Sequence, residues 1–253
     1  MVGPFPYIGG KNRLAKQIVE IFPQHKTYVE AFAGGARVLF HKEASPVEVL
    51  NDLDGEIVNF FRVCQSHYEE LLRYLRFMLA SRKWFELLRA TGPEGLTDIQ
   101  RAARHLYLQK NSFASMVRHP SYHWHVVQPP GFNPERLPAV IESTHKRLER
   151  VQIECLPYGE VFAKFDRRET LFFCDPPYFG KTLYRHNFTT EDFVKFEQHL
   201  GELRGKFVLS LNDVPEVRTL FHRFHIRPIE LAYTVQKKAG KKYREVLITN
   251  FKP

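Results

Sequence analysis

The run Leu171-Phe172-Phe173-Cys174-Asp175-Pro176-Pro177-Tyr178 limits most tightly what this chain can fold into. Four apolar residues in a row read as a strand buried on both faces, as in a parallel sheet. Two consecutive prolines then stop it, because neither offers a backbone N–H to a ladder or to a helix interior. The chain is forced into a stiff turn at the carboxyl end of a central strand. In open α/β sheets that edge is where ligands bind. The turn holds an Asp, a Tyr and two carbonyls that precede proline nitrogens. Such a set of acceptors beside a flat aromatic face suits a planar amine.

The rest of the chain repeats the α/β alternation. Leu14, Ile18, Ile21 and Phe22 share one face of a helix predicted over residues 11–22 and ended by Pro23. A short strand Thr27–Glu30 runs into Phe32-Ala33-Gly34-Gly35-Ala36, then a helix to about Lys42. A strand at Val47–Leu50 ends in Asn51-Asp52-Leu53-Asp54-Gly55, where another helix starts. This is the opening of a doubly wound sheet. From about Phe60 to Ala139 the alternation breaks. Residues 68–89 and 98–110 are helical in pattern, and residues 111–137 form a loop rich in His, Pro, Ser and aromatics. A helix near 137–150 leads back to strands at 151–155, 171–174, 206–211, 227–231 and 245–250. Between them a helix over 189–203 opens on the cap Thr189-Thr190-Glu191-Asp192. The organisation expected is a catalytic core of residues 1–62 and 140–253 with a helical insert of residues 63–139.

Composition narrows the partners. The chain has 253 residues and 43% hydrophobic content, enough for a sizeable core. Its 37 Lys and Arg against 28 Asp and Glu give a net charge of +9, which favours a polyanion, nucleic acid first. No apolar run approaches the ~20 residues that cross a bilayer, and the first residues carry no secretory pattern. Cys64, Cys155 and Cys174 are scattered, as in a reduced, cytoplasmic protein.

Four local features fit a nucleotide-like ligand. The Phe32–Gly35 turn lets backbone approach a ligand closely, but it is not the G-x-G-x-x-G of dinucleotide sites. Asp52 ends the next strand, where an acid accepts ribose hydroxyls. Tyr7-Ile8-Gly9-Gly10-Lys11 offers a ring for a base and a cation for a carboxylate or carbonyl. Asp175–Tyr178 is the fourth. His119, His123 and His125 lack Cys or acidic company, and no metal site is expected.

In this order, Pro-Phe-Pro-Tyr-Ile-Gly-Gly-Lys, Glu-Ala-Phe-Ala-Gly-Gly, Asn-Asp-Leu-Asp and Asp-Pro-Pro-Tyr resemble the Dam-like adenine-specific DNA methyltransferases. The closing strands, Val208–Asp213 and Glu245–Asn250, match as well, so the resemblance spans about residues 4–62 and 151–251. It implies a Rossmann-like S-adenosylmethionine-dependent methyltransferase sheet with a target-recognition insert, transferring methyl to N6 of an adenine flipped out of duplex DNA. It further implies Tyr7, Lys11, Asp52 and Asp175 as cofactor contacts, with Phe32 and Gly34 shaping the pocket. Asp175 and Pro176 would bind the amine, and Tyr178 would stack on the base.

The chain departs from the family at Ala31, in place of Pro, and at Ala36, in place of the last Gly of the turn. It departs more in the insert, where only Leu108, Phe113, Arg118 and the stretch Gly131-Phe132-Asn133-Pro134 echo the family, so a target sequence does not transfer. The same turn chemistry serves a cytosine N4 amine, and an inactive DNA-binding core is the alternative outside catalysis. Arg118 and the basic arm with Lys237, Lys238, Lys241 and Lys242 are candidate DNA contacts, with Arg82, Lys83, Trp84, Arg101 and Arg104 as further phosphate contacts. A monomer, with or without a restriction endonuclease partner, is the expected assembly.

Overall fold

The computed structural model describes residues 3–7, 11, 14–113, 120–123, 130–230 and 244–253. Arg118, Lys237, Lys238, Lys241 and Lys242 lie outside the described residues, as do His119 and His125.

The elements follow in the order α1 (Ala15–Glu20), β1 (Thr27–Glu30), α2 (Arg37–His41), β2 (Val47–Asn51), α3 (Gly55–Ser66), α4 (Tyr68–Leu75), α5 (Arg82–Ala90) and α6 (Asp98–Asn111). Then come α7 (Leu137–Leu148), β3 (Val151–Glu154), α8 (Tyr158–Phe165), β4 (Thr170–Cys174), α9 (Thr190–Glu202), β5 (Lys206–Asn212), α10 (Pro215–Leu220), β6 (His225–Glu230) and β7 (Arg244–Thr249). The seven strands form one sheet in the order β3-β2-β1-β4-β5-β7-β6. All neighbours are parallel except β7, which runs antiparallel between β5 and β6. From β1 the chain winds outward to β2 and β3, then returns to place β4 on the other side of β1. This reversal opens a crevice at the carboxyl ends of β1 and β4, the topological switch point where such sheets bind ligands.

Successive side chains along the central strands alternate between two apolar layers. Tyr28, Leu171, Phe173 and Val208 face one layer; Val29, Phe172, Phe207 and Leu209 face the other. The second layer is capped by α8, α9 and α10 through Val161, Phe196 and Val217. The first continues without a break into the helices of residues 55–148. Phe60 of α3, Leu71 of α4, Phe85 of α5, Leu106 of α6 and Ile141 of α7 belong to the same cluster as Tyr28 and Phe173.

Helices α8 and α10 have no counterpart among the sequence expectations; both are short and fill gaps between strands. The helical pattern of residues 68–89 is split in two. The Tyr107 hydroxyl accepts the Ser81 N–H at 2.9 Å and donates to the Leu79 carbonyl at 2.9 Å, holding the turn that separates α4 from α5.

A buried ionic knot joins α7 to the sheet. Glu48 of β2 accepts from Lys42 at 2.6 Å and from Arg147 of α7 at 2.9 Å, and Arg147 also donates to the Leu39 carbonyl. Burial raises the Glu48 carboxyl, and the bonds from Arg147 and Lys42 more than offset this, leaving it below its ordinary value. Removing its charge strands two cations in the interior. Glu48→Gln is expected to lower stability by about 3 kcal/mol in urea denaturation, whereas Glu142→Gln, in an exposed pair with Lys146, is expected to change it by less than about 1 kcal/mol.

Candidate active site

The switch-point crevice is a cavity of about 510 Å³. Tyr7, Lys11, Phe32, Gly34, Asp52 and Asp175 all line it. Pro176 and Tyr178 are not among the lining residues. Pro176 is buried, and Tyr178 reaches the site through Lys11.

Each strand end delivers one carboxyl group. Asp175 follows β4, Glu30 closes β1 and Asp52 follows β2. The loop after β1 is tied to both neighbours: Ala31 donates to the Phe173 carbonyl at 3.0 Å and Ala33 to the Asn51 carbonyl at 2.8 Å. The Asn51 side chain donates to the carbonyls of Ala31 and Leu156 and accepts the Leu156 N–H, so one amide fixes the ends of three chain segments. On the far side, the Asn212 amide at the end of β5 accepts the Phe179 N–H at 3.0 Å and donates to its carbonyl at 3.2 Å. That two-point bond fixes the exit of the proline turn.

Lys11 is the charge centre of the site. Its side chain is 3% exposed and donates to Asp175 Oδ1 at 2.7 Å and to the Tyr178 hydroxyl at 2.8 Å. Glu245 Oε2 stands 3.8 Å away. Burial works against its charge, but Asp175, Tyr178 and Glu245 prevail, and its pKa lies well above the ordinary lysine value. Asp175 shows the converse balance. Burial pushes it up, Lys11 pulls it back, and the result is about 6.

Asp52 is also raised to about 6 by burial, although both of its oxygens accept backbone N–H groups, from Gly34 at 2.8 Å and from Asp54 at 2.9 Å. Those bonds pin the glycine turn to the acidic turn. The neighbouring Asp54 caps α3 by accepting the Glu56 N–H. Of the three carboxyl groups Glu30 is displaced furthest: burial raises it to about 8, while its Oε2 accepts from Tyr28 and Leu39.

Sequence reasoning did not single out Glu30, Tyr158, Tyr184, Arg185, His186 or Phe188, all of which line the cavity. For Glu30 a signal existed, an acid closing an otherwise uncharged strand. The residues at 184–188 sit in the loop between the proline turn and α9, and only the fold brings them over the site. Phe32 packs edge-on against Phe188 and Phe196 and tilted against Tyr158, at centroid distances of 5.7–5.9 Å. This makes an aromatic wall on one side.

The two family departures have different outcomes. Ala31 sits buried in the tie to Phe173 without distortion. Ala36 precedes α2 with φ 49° and ψ 36°, the sole non-glycine of positive φ among the described residues. Gly34 is left-handed too, and a Cβ there would stand 2.8 Å from the Tyr7 ring. The turn thus carries strain at Ala36 of the kind a glycine would relieve. Ala36→Val is expected to cost about 2 kcal/mol in denaturant unfolding. Ala36→Gly, exchanging strain for chain entropy, is expected to stay within about 1 kcal/mol of wild type.

The sequence agrees with this geometry when set beside known proteins. Residues 7–235 match the D12 class N6 adenine-specific DNA methyltransferase family. A type II methyltransferase of Lactococcus lactis subsp. cremoris, M1.LlaDCHI, is 27% identical over 267 residues, covering 97% of this chain and 94% of its own. The type II methyltransferase M.CviBI of Paramecium bursaria Chlorella virus NC1A is 23% identical, covering 96% and 95%. The DNA N-6-adenine-methyltransferase of Escherichia phage P1 is 25% identical over 89% of this chain, which spans 32% of that longer protein. A core of seven strands wound about a cavity at the switch point, matched by the family along nearly its whole length, makes this chain a member of the D12 class N6 adenine-specific DNA methyltransferases.

Proposed function

We propose that the cavity binds S-adenosylmethionine and that the turn Asp175–Tyr178 presents the N6 amine of a flipped-out adenine to it. The observation that carries this reading is the convergence of three carboxyl groups, Glu30 buried and Asp52 and Asp175 half-buried, and an aromatic wall on one cavity at the switch point. Its acidic lining suits a ligand bearing a sulfonium and an ammonium. Its volume falls in the range of cofactor pockets. Asp52 is placed for a ribose diol, Phe32 and Tyr7 for the adenine faces, and Glu30 for a cationic group, whose arrival favours the ionised carboxylate. Gly34 keeps open the space that a side chain would close against Tyr7.

When bound, S-adenosylmethionine supplies an activated methyl group on sulfur. The protein's part is orientation and electrostatics. The N6 lone pair of adenine is delocalised into its ring. Asp175 Oδ1 is engaged by Lys11, and Oδ2 is left to accept one N6–H. The Pro176 carbonyl accepts the other. These two bonds localise the lone pair on nitrogen and aim it into the cavity. Tyr178, its hydroxyl fixed by Lys11, stacks on the base and offsets part of the unstacking cost of a few kcal/mol.

Residues 63–139 carry target recognition in this reading. Arg118, Lys237, Lys238, Lys241 and Lys242 are assigned to DNA phosphates. No described helix is long and apolar enough to cross a membrane, and a cytoplasmic, monomeric enzyme is proposed. The names of two relatives as type II methyltransferases make a restriction endonuclease of matching specificity the partner to look for.

Nucleoside mass spectrometry on unmethylated duplex DNA tests the assignment. Wild type is expected to form N6-methyladenine, and Asp175→Ala to lower the rate by about 10²-fold or more. Methylation undiminished in Asp175→Ala would remove the turn from the mechanism. A pH series gives a second check. Asp175 must be ionised to accept the amine, and its pKa is about 6. With S-adenosylmethionine saturating, so that its bound cation keeps Glu30 ionised, the kcat/KM profile for DNA is therefore expected to fall as pH drops through about 6 and to be flat above it. A profile flat down to pH 5 contradicts the role given to Asp175.

A further inference from the structure

A second, smaller recess of about 200 Å³ adjoins the active cavity and shares Arg185 with it. Arg89 of α5 and Arg104 of α6 complete a ring of three guanidinium groups, with His105 and Gln109 of α6 also in its lining. No carboxylate of the described residues lines it. Two of the arginines are partly neutralised from outside: Arg185 donates to Asp54 at 3.1 Å and Arg89 pairs with Glu86. Arg104 is different. Its side chain is 8% exposed, its Nε donates to the Leu88 carbonyl at 2.7 Å, and no described carboxylate forms an ion pair with it.

A buried guanidinium without a counter-ion is costly unless something supplies one. Burial lowers the Arg104 pKa and Arg185 pushes it the same way; Glu56 and Glu94 pull it back only in part. Glu56 is meanwhile engaged by Arg101. Arg101 itself, bonded to Glu56 and Asp98, is held within the protein. Two further polar atoms, on residues of the recess lining, are buried without a partner among the described residues, His105 Nε2 and Gln109 Oε1. A neutral imidazole protonated at Nε2 is a donor lacking an acceptor. The Gln109 amide, turned over, is another.

We propose that this recess is a phosphate subsite for the DNA backbone, taking a phosphodiester beside the nucleotide whose base enters the active cavity. The guanidinium forks of Arg89, Arg104 and Arg185 match phosphate oxygens, and His105 and Gln109 supply neutral donors from the floor. Arg185 touches both cavities, so an occupied recess fixes the backbone within one nucleotide of the methyl-transfer site. The placement beside the flipped base rests on the function proposed above; the phosphate subsite itself rests on the lining of the recess.

The test is the salt dependence of duplex DNA binding by wild type, Arg104→Gln, Arg104→Lys and Arg89→Gln, with thermal melting to confirm folding. Loss of one phosphate contact is expected to reduce the magnitude of the log K against log salt slope by about one and to weaken binding several-fold. Arg104→Lys is expected to keep the slope. A folded Arg104→Gln with wild-type slope and affinity would overturn the proposal. Should Arg104→Gln fail to fold, Arg89→Gln, at a half-exposed position, decides the matter by the same criterion. Inorganic phosphate that stabilises wild type while Arg104→Gln leaves the DNA slope unchanged would make free phosphate the ligand and overturn the DNA assignment. These slopes are measured without methyl transfer, so they stand or fall separately from the nucleoside assay.

Discussion

The bond from Lys11 to Asp175 is the interaction on which the rest of the site depends. Asp175 is placed at the end of β4 by a strand that is buried throughout and a turn that two prolines stiffen. Desolvation there works against its ionisation, and an un-ionised Asp175 is a poor acceptor for an amine. Lys11 comes from the segment before α1, 164 residues away in sequence. It keeps the carboxylate near its working state and in the same stroke orients Tyr178. Glu245 of β7, at 3.8 Å, completes the charge balance. Three distant segments meet at one ammonium group.

This local balance stands against the charge of the whole molecule. The chain is basic overall, with a net charge of +9, yet in the cavity lining the acids Glu30, Asp52, Asp54, Asp175 and Asp192 outnumber the cations Lys11, Arg37 and Arg185. The division has a physical logic for a DNA methyltransferase. The nucleic acid is a polyanion met at the surface by Lys and Arg, whereas the methyl donor proposed for the cavity is cationic at its reacting end. The arginine-lined recess beside the acidic cavity places both fields within one side chain of each other, at Arg185. These carboxyl groups accept hydrogen bonds from backbone N–H groups at Asp52 and Glu30 and from Lys11 at Asp175.

Much of this was legible in the sequence because it is written in local terms. β1 matches its expected bounds, and β2, β4 and β5 match within a residue or two, since apolar runs bounded by Gly, Pro and Asp leave little choice. The cavity lining includes every residue expected to touch the cofactor: Phe32, Gly34, Asp52 and Asp175 follow strand ends, which the sheet aligns on one edge, and Tyr7 and Lys11 reach the same edge from the segment before α1. What stayed hidden depends on tertiary placement. Nothing local marks Tyr184–Phe188 as part of the cavity wall, or Arg104 as the member of a group of arginines that has no ion pair among the described residues. The strain at Ala36 was readable only as a missing glycine; its left-handed backbone requires the structure. Asn51 and Asn212 look like ordinary polar strand ends in sequence and become clamps only when their neighbours across the sheet are known.

The central claim is that Lys11 sets the ionisation of Asp175, and carbon-detected NMR of aspartate-labelled protein tests it most directly. In wild type the Asp175 carboxyl is expected to titrate near 6. Lys11→Met removes the cation that opposes desolvation, and the same resonance is expected to titrate at higher pH. A midpoint unchanged or lowered in Lys11→Met would show that Lys11 does not govern Asp175, and would contradict the account.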